Sequence, residues 1–361
     1  NNRSQILPKR FGCQTKITLY SMHIVNIINL AKKLNLSITT VSRALGGYSD
    51  VSEVTRKRVI DFAKKHNYNP NPYASNLASR KSNAVGFVIP LYGLNNNTLN
   101  QISYFKFVAG MSSKINQDNI LFYMLFANSA KDEMDSYKKL IEVNKVNNII
   151  IHNVQTDDKR IEYLNSKKIN FVAWGRSKKI DYSWVDLDNE LATELIIDYL
   201  YSKGHQSIAF INVSEKYNFA YLRKKGFQKA LKKYSLKFEK SLYQTTSLED
   251  PSFSKEITIN LLNKNPELSC IICSTEYSSV GAIQACTELN KKIGEDISII
   301  TFDGPVVESL TNPKLTAISH PLEELGTNAI NILLGTEKKK QLSNYLVKPH
   351  IIERGSVKSL I

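Results

Sequence analysis

Between Ser37 and Leu45 the chain reads SITTVSRAL, which sets Ser37, Ile38, Thr39, Thr40, Ser42 and Arg43 at helical spacing. An exposed helix face is usually solvated by Glu and Lys. Short hydroxyl side chains can instead approach phosphate oxygens and base edges where longer ones would collide. An arginine among them can supply charge or a bidentate contact to guanine. That is nucleic-acid chemistry, with Ile38 left to touch a thymine methyl and Thr39 able to hydrogen-bond. The other reactive residues point nowhere as definite. Cys270 and Cys273 form a CxxC, but LSCIICST reads as a buried strand, and no second pair or nearby His completes a zinc set. The six histidines fall in no HExxH or Ser-His-Asp order, and no phosphate loop is present, so neither an enzyme nor a cofactor or metal is expected.

Charge supports the nucleic-acid reading. The 361 residues carry a net charge of +15, and residues 1–83 hold 14 Lys and Arg against three acids, Asp50, Glu53 and Asp61. The remaining 278 residues hold 34 basic against 30 acidic side chains. A basic head on a nearly neutral body implies a polyanion-binding module joined to something else. No apolar run approaches the ~18 residues of a membrane span, and no signal-peptide pattern opens the chain, so a cytoplasmic protein is expected. The four cysteines fit that compartment, and the first residue, Asn1, leaves the true start open.

These side chains need a helical scaffold, and residues 25–68 provide one. IINLAKKLN spaces Ile27, Ile28, Leu30, Ala31 and Leu34 as a first helix. Asn35 and Leu36 make a tight turn, Ser37 caps a second helix, and Ala31, Leu36 and Val41 fill the contact, a helix-turn-helix. A third helix follows, capped by Ser52, with Val54, Val59, Ile60, Phe62 and Ala63 as its apolar stripe. Residues 69–83 are a polar linker with two prolines, able to form one short helix. From Ala84 onward AVGFVIP, ILFYMLF, NIIIHNV, NFVAWG, SIAFINV, SCIICS and ISIITFDG read as strands alternating with amphipathic helices. Continuous apolar strands imply parallel sheets covered on both faces. Their number implies two doubly wound subdomains, with ligands at the strands' carboxyl ends.

Over roughly residues 25–355 the sequence resembles the lactose-repressor (LacI/GalR) family of bacterial transcription regulators. LAKKLNLSITTVSRALGG and VSEVTRKRVIDFAKKHNYNPNPYASNLAS carry the likeness most specifically. In the body it rests on FVAWGRS, YSWVDLDNELATELIIDYLYSKGHQSIAFI, YLRKKGFQKAL and GEDISIITFDG. The resemblance implies a helix-turn-helix headpiece over 25–68 and a hinge over 69–83. It implies a periplasmic-binding-protein-like α/β body over 84–355 for effector binding and dimerisation, and leaves 1–24 as an extension expected to be disordered. It places Asn71, Ala74 and Leu77 in a hinge helix on DNA, Leu77 being the wedge into a base step. Ser75 departs from the family's usual Arg. Arg223 matches the arginine of the R-x-x-G motif and Asp303 the aspartate of the G-F/Y-D motif, as donor and acceptor for a small polar effector. Trp174 can stack on a sugar face, with Arg176 beside it. Thr275 and Glu276 replace the family's usual Asn-Asp, which alters the sugar geometry.

The expected protein is thus a homodimeric, operator-binding regulator, a repressor controlled by a sugar or glycoside. A purine- or nucleoside-responsive or partner-modulated member of the same family is the alternative within it, and a solute-binding protein the alternative outside it. The ending IIERGSVKSLI carries no leucine heptads, which favours a dimer over a tetramer.

Overall fold

The computed structural model describes residues 26–68, 84–91, 100–179, 181–246, 248, 251–302, 304, 309–339 and 342–361. They fall into two units, within Asn1–Arg80 and Lys81–Ile361. The first holds α1 (Ile27–Leu34), α2 (Ile38–Leu45) and α3 (Glu53–Lys65). A side chain starts each helix: Asn26 Oδ1 accepts from the Asn29 N–H, Ser37 Oγ from Thr40 and Ser52 Oγ from Thr55. Helix α1 ends because Asn35 adopts φ 53°, which Asn tolerates better than most residues. The N–H groups of Asn35 and Leu36 then return to the carbonyls of Lys32 and Ala31.

Leu30, Ala31, Leu34, Val41, Ala44, Val51, Val59 and Ala63 form the head's core, with Leu36 and Phe62 packed against it. Two residues of the expected stripes lie elsewhere: Ile28 is 47% and Val54 81% exposed. At about 100° per residue, Val54 stands roughly 140° from Val59, and Ile28 about 120° from Leu34, so both face away from the contact.

The second unit contains two six-stranded sheets. In the first, β1 (Ala84–Pro90), β2 (Leu121–Ala127), β3 (Asn148–Ile151), β4 (Asn170–Trp174) and β5 (Ser183–Leu187) run parallel in the order 2-1-3-4-5. The second repeats that order with β6 (Ile208–Val213), β7 (Tyr243–Thr246), β8 (Cys270–Cys273), β9 (Ser298–Phe302) and β10 (Thr316–Ile318). Near the end of the chain β11 (Asn344–Val347) joins the first sheet beside β5 and β12 (Ile351–Ile352) the second beside β10. Every residue of β1, β3, β6, β8 and β9 is buried, as strands covered on both faces require. Cys270 and Cys273 belong to that buried set.

The chain passes between subdomains three times, at Asp188, at Ser319–Pro321 and at Lys348–His350, between β11 and β12. Helices α4 (Asn100–Gln117), α5 (Ala130–Lys138), α6 (Lys159–Ser166) and α11 (Leu322–Lys339) serve the first sheet. Helices α7 (Asn189–Ser202), α8 (Asn218–Lys233), α9 (Pro251–Lys264) and α10 (Glu276–Glu288) serve the second. The five strands not expected from sequence are short or polar: SWVDL, YQTT, TAI, NYLV and II. Among the described residues no helix is long and apolar enough to cross a membrane.

Helix α4 carries residues of the cleft described below, and its depth is set by two glycines. A Cβ on Gly110 would lie 2.0 Å from the Glu323 carbonyl oxygen, and one on Gly326 1.9 Å from that of Phe107. Each helix thus takes the other's backbone where a side chain would stand. Alanine is the better helix former by about 1 kcal/mol, yet here it meets a carbonyl that cannot rotate away. Gly326→Ala should therefore lower stability by roughly 1–3 kcal/mol, read from the denaturant midpoint of the full chain. An unchanged or raised midpoint would contradict this packing.

Candidate functional site

In the head, the apolar side of α2 is spent on Val41 and Ala44, which are fully buried. That turns Ile38, Thr39 and Ser42 outward, all three exposed, with Arg43 one turn from Thr39. Ile38 is 47% exposed with no core beneath it. The two remaining hydroxyls have a different duty. Ser37 Oγ lies 2.8 Å from Thr40 Oγ1 and accepts the Thr40 N–H, so this pair closes the helix start while Ile38, Thr39 and Ser42 stay free of it. Arg43 is engaged too: its Nη2 lies 2.7 Å from Asp50 Oδ2. Asn71, Ala74 and Leu77 lie outside the described residues.

The second site is a cavity of about 170 Å³ at the carboxyl ends of both sheets. With ~10–15 Å³ sufficient for one water, it has room for a ligand of roughly ten heavy atoms or more. Arg223 on α8 is its most constrained side chain. The residue is 5% exposed, its Nε donates to Asn189 Oδ1 at 2.8 Å, and its Nη1 donates to the Ser274 carbonyl. Its central carbon lies 3.3 Å from the centroid of the Phe302 ring and 4.9 Å from that of Phe219, so the charge rests on π faces. Burial pulls its pKa down to about 9 against the opposing pull of Asp186, which leaves it protonated at neutral pH.

Asn189, the first residue of α7, extends this contact across the crossover. Its Nδ2 donates to Asp186 Oδ1 at 3.2 Å and to the Leu187 carbonyl at 2.9 Å. Asp186 on β5 in turn accepts from Arg176 Nε at 2.8 Å. A polar chain thus runs from the half-buried Arg176 through the buried Asp186 and Asn189 to the buried Arg223, from one subdomain to the other. Burial raises the Asp186 pKa, opposed by Arg176.

Around this chain the walls are aromatic and polar. Trp174 stacks on Phe107 with centroids 4.3 Å apart and planes 4° from parallel, which leaves stacking on a ligand to its opposite face. Glu276 opens α10 and is 9% exposed; its carboxylate accepts from Ser103 Oγ of α4 at 3.2 Å, across the cleft. The same carboxylate fills the space a Cβ on Gly304 would take, at 2.1 Å from its Cδ. Thr275 is spent as the helix cap of α10. Burial and the nearby Arg223 charge push His320 down to about 3, so it faces the cavity neutral, with one donor and one acceptor. A buried Arg160 fixes the Asn153 wall, donating to the carbonyls of His152 and Asn153 while paired with Asp158 and Glu133. Backbone bonds from Thr156 N–H to Lys216 O and from Asn218 N–H to Val154 O, 2.8 and 3.0 Å, join the two subdomains beside the cavity.

The structure therefore brings Arg223, Trp174, Arg176 and Glu276 to one cavity, while Asp303 lies outside the described residues. Sequence reasoning missed Asp186, Asn189, Ser103 and His320. The one available signal was VDLDN, where one carboxylate interrupts a strand and a second follows its end. Asn189→Ala would leave the Arg223 Nε–H without its acceptor and Asp186 with one donor fewer. A buried donor stranded in this way costs roughly 1–3 kcal/mol, so the denaturant midpoint should fall accordingly. A midpoint equal to wild type would show that the polar chain is not held by Asn189.

Comparison with known proteins agrees with this architecture. Residues 26–71 match the bacterial regulatory proteins of the lacI family, and residues 197–357 match the periplasmic binding protein-like domain. The HTH-type transcriptional regulator AglR of Rhizobium meliloti (strain 1021) is 32% identical over 318 residues, 86% of this chain and 87% of that protein. RafR of Escherichia coli is 29% identical, over 80% of this chain and 84% of its own. Among solved structures, the lac repressor dimer bound to operator and the anti-inducer ONPF superposes with a TM-score of 0.78 at 22% identity, over 92% of this chain and 99% of that one. The CelR–cellobiose complex superposes at 0.69 and 20% identity, with 92% and 99% covered. The chain belongs to the LacI family of helix-turn-helix transcriptional regulators.

Proposed function

We propose that this regulator is a repressor whose operator affinity is set by a neutral sugar or glycoside held between the two subdomains. The observation that carries the reading is the row of donors and acceptors, Arg223, Asn189, Asp186 and Arg176, beside the Trp174 ring. Such a row suits alternating hydroxyls above an apolar sugar face. Charge narrows the class. Among the described lining residues two arginines face two carboxylates, Asp186 and Glu276. A phosphate or carboxylate on the ligand would meet the acids as well as the arginines, whereas hydroxyls can donate to the carboxylates and accept from the guanidiniums. The cellobiose bound by the structural neighbour CelR supports the same class.

The protein acts by binding rather than by catalysis, in the cytoplasm and as a homodimer. Ile102 and Phe105, one turn apart on α4 and 36% and 50% exposed, support self-association, as does the dimeric state of the lac repressor neighbour. The Ile38, Thr39, Ser42 and Arg43 face of α2 enters the major groove, with Ser37 and Thr40 holding the helix start, and Asn71, Ala74 and Leu77 complete the hinge contact. Asp303 joins Arg223 on the effector.

A melting-temperature screen of neutral mono- and disaccharides, sugar phosphates and purines tests the assignment. A ligand at a hundred times its Kd stabilises by about 2.7 kcal/mol, several degrees for a body of this size. A neutral saccharide should give that shift. Arg223→Ala should abolish it, since removing one partner of a buried charged hydrogen bond costs roughly 2–5 kcal/mol, while operator binding stays intact. Stabilisation by purines or sugar phosphates alone would overturn the neutral-sugar reading.

A further inference from the structure

The loop between α2 and α3, Gly46–Ser52, is held rigidly from below. Arg56 of α3 donates from Nη2 to the Tyr48 carbonyl at 2.7 Å and to the Val51 carbonyl at 3.3 Å, so the backbone on both sides of Asp50 is fixed. Val51 is 8% exposed and seats the loop in the head's core. The Tyr48 N–H returns to the Arg43 carbonyl at 3.1 Å.

This frame presents two side chains to Arg43. The Tyr48 ring lies with its centroid 4.6 Å from the guanidinium carbon, and the Asp50 carboxylate lies 2.7 Å from Nη2. Both members of the ion pair are about half exposed, so it adds little to stability. Its effect is conformational. A free arginine samples many rotamers and reaches phosphate as readily as a base, because phosphate takes a point charge from any side. A guanidinium stacked on a ring and tied at one nitrogen has chosen its direction before DNA arrives, and loses less freedom on binding. Arg43 Nε is shielded from solvent with no hydrogen-bond partner and one Nη2 N–H goes to Asp50, so the donors left for DNA are those on Nη1 and the second on Nη2. Two such parallel donors match O6 and N7 of guanine.

We propose that Asp50 and Tyr48 are positioning residues for Arg43, so that the loop, and not α2 alone, sets a guanine preference in the operator. The Asp50 charge adds a penalty on duplexes that leave Arg43 without a base, because the carboxylate is brought toward phosphates with nothing gained. This rests on the head being the DNA-reading surface.

The test is binding-site selection from a randomised duplex library with the full chain. Wild type selects a guanine at one position of each half-site, and Arg43→Ala loses it. Asp50→Asn weakens that preference roughly tenfold while the other positions hold. It also tightens binding to an unselected duplex of equal length, since one negative charge is gone. Tyr48→Phe keeps the preference and Tyr48→Leu reduces it, which separates stacking from loss of the fold. In an Arg43→Ala background Asp50→Asn changes no base preference. Guanine selection undiminished in Asp50→Asn, or an equal change without Arg43, overturns the proposal. If wild type selects no sequence, the reading of the head fails instead.

Discussion

The buried guanidinium of Arg223 is the constraint around which the cleft of this protein is arranged. A charge 5% exposed must find its compensation inside the fold. It finds an amide oxygen on Asn189, a carbonyl at Ser274 and the faces of Phe302 and Phe219. Those partners come from α7, the end of β8, the end of β9 and the start of α8, so one side chain gathers the carboxyl ends of the second sheet around the cavity. Asn189 then hands the constraint to Asp186 and Arg176 in the first sheet's subdomain. The cleft's position follows from one desolvated ion and the polar groups needed to keep it.

The surrounding packing allows that chain little slack. Helices α7 and α8 are locked by a repeating ladder, Lys225 to Glu190, Lys229 to Glu194 and Lys233 to Asp198, each pair one turn beyond the last. Exposed pairs of this kind contribute little energy one by one, but their common spacing fixes the register of the helices that carry Asn189 and Arg223. On the opposite wall the Gly110 and Gly326 contacts set the depth of α4, and with it Ser103, Tyr104 and Phe107. Ser103 reaches Glu276 across the cleft, so opening the two subdomains would break a hydrogen bond that a ligand could replace.

What sequence reveals here depends on how local the physics is. Ser37 and Ser52 were legible as caps because a cap needs only the residue and the three that follow it. The strands in AVGFVIP and SCIICS were legible because burial on both faces leaves an uninterrupted apolar run, AVGFVIP and CIIC. Arg223 was reached through a family motif, Trp174 and Arg176 through their place after a strand, and Glu276 as a departure from the family's usual Asn-Asp, and the cavity gathers all four. Asp186 and Asn189 were not, since their roles arise only when β5 and α7 meet α8, some 34 residues away in the chain. Val54 misled because an apolar residue near the start of α3 fits a stripe by eye, whereas its rotation sets it outside. Asp50 looked like one acid in a basic head until the loop geometry set it on Arg43.

In this regulator the operator-binding head and the ligand cleft of one chain must be coupled for the ligand to act. Linkage makes that coupling reciprocal: if a ligand changes operator affinity by some factor, the operator must change ligand affinity by the same factor. The direct measurement is both halves of that cycle on the full chain. One half is operator Kd with and without the stabilising saccharide, and the other is saccharide Kd with and without operator. Both halves should give a common factor of about 5–150, the usual range for coupled sites. A saccharide that occupies the cleft and leaves operator affinity unchanged in both directions would contradict it.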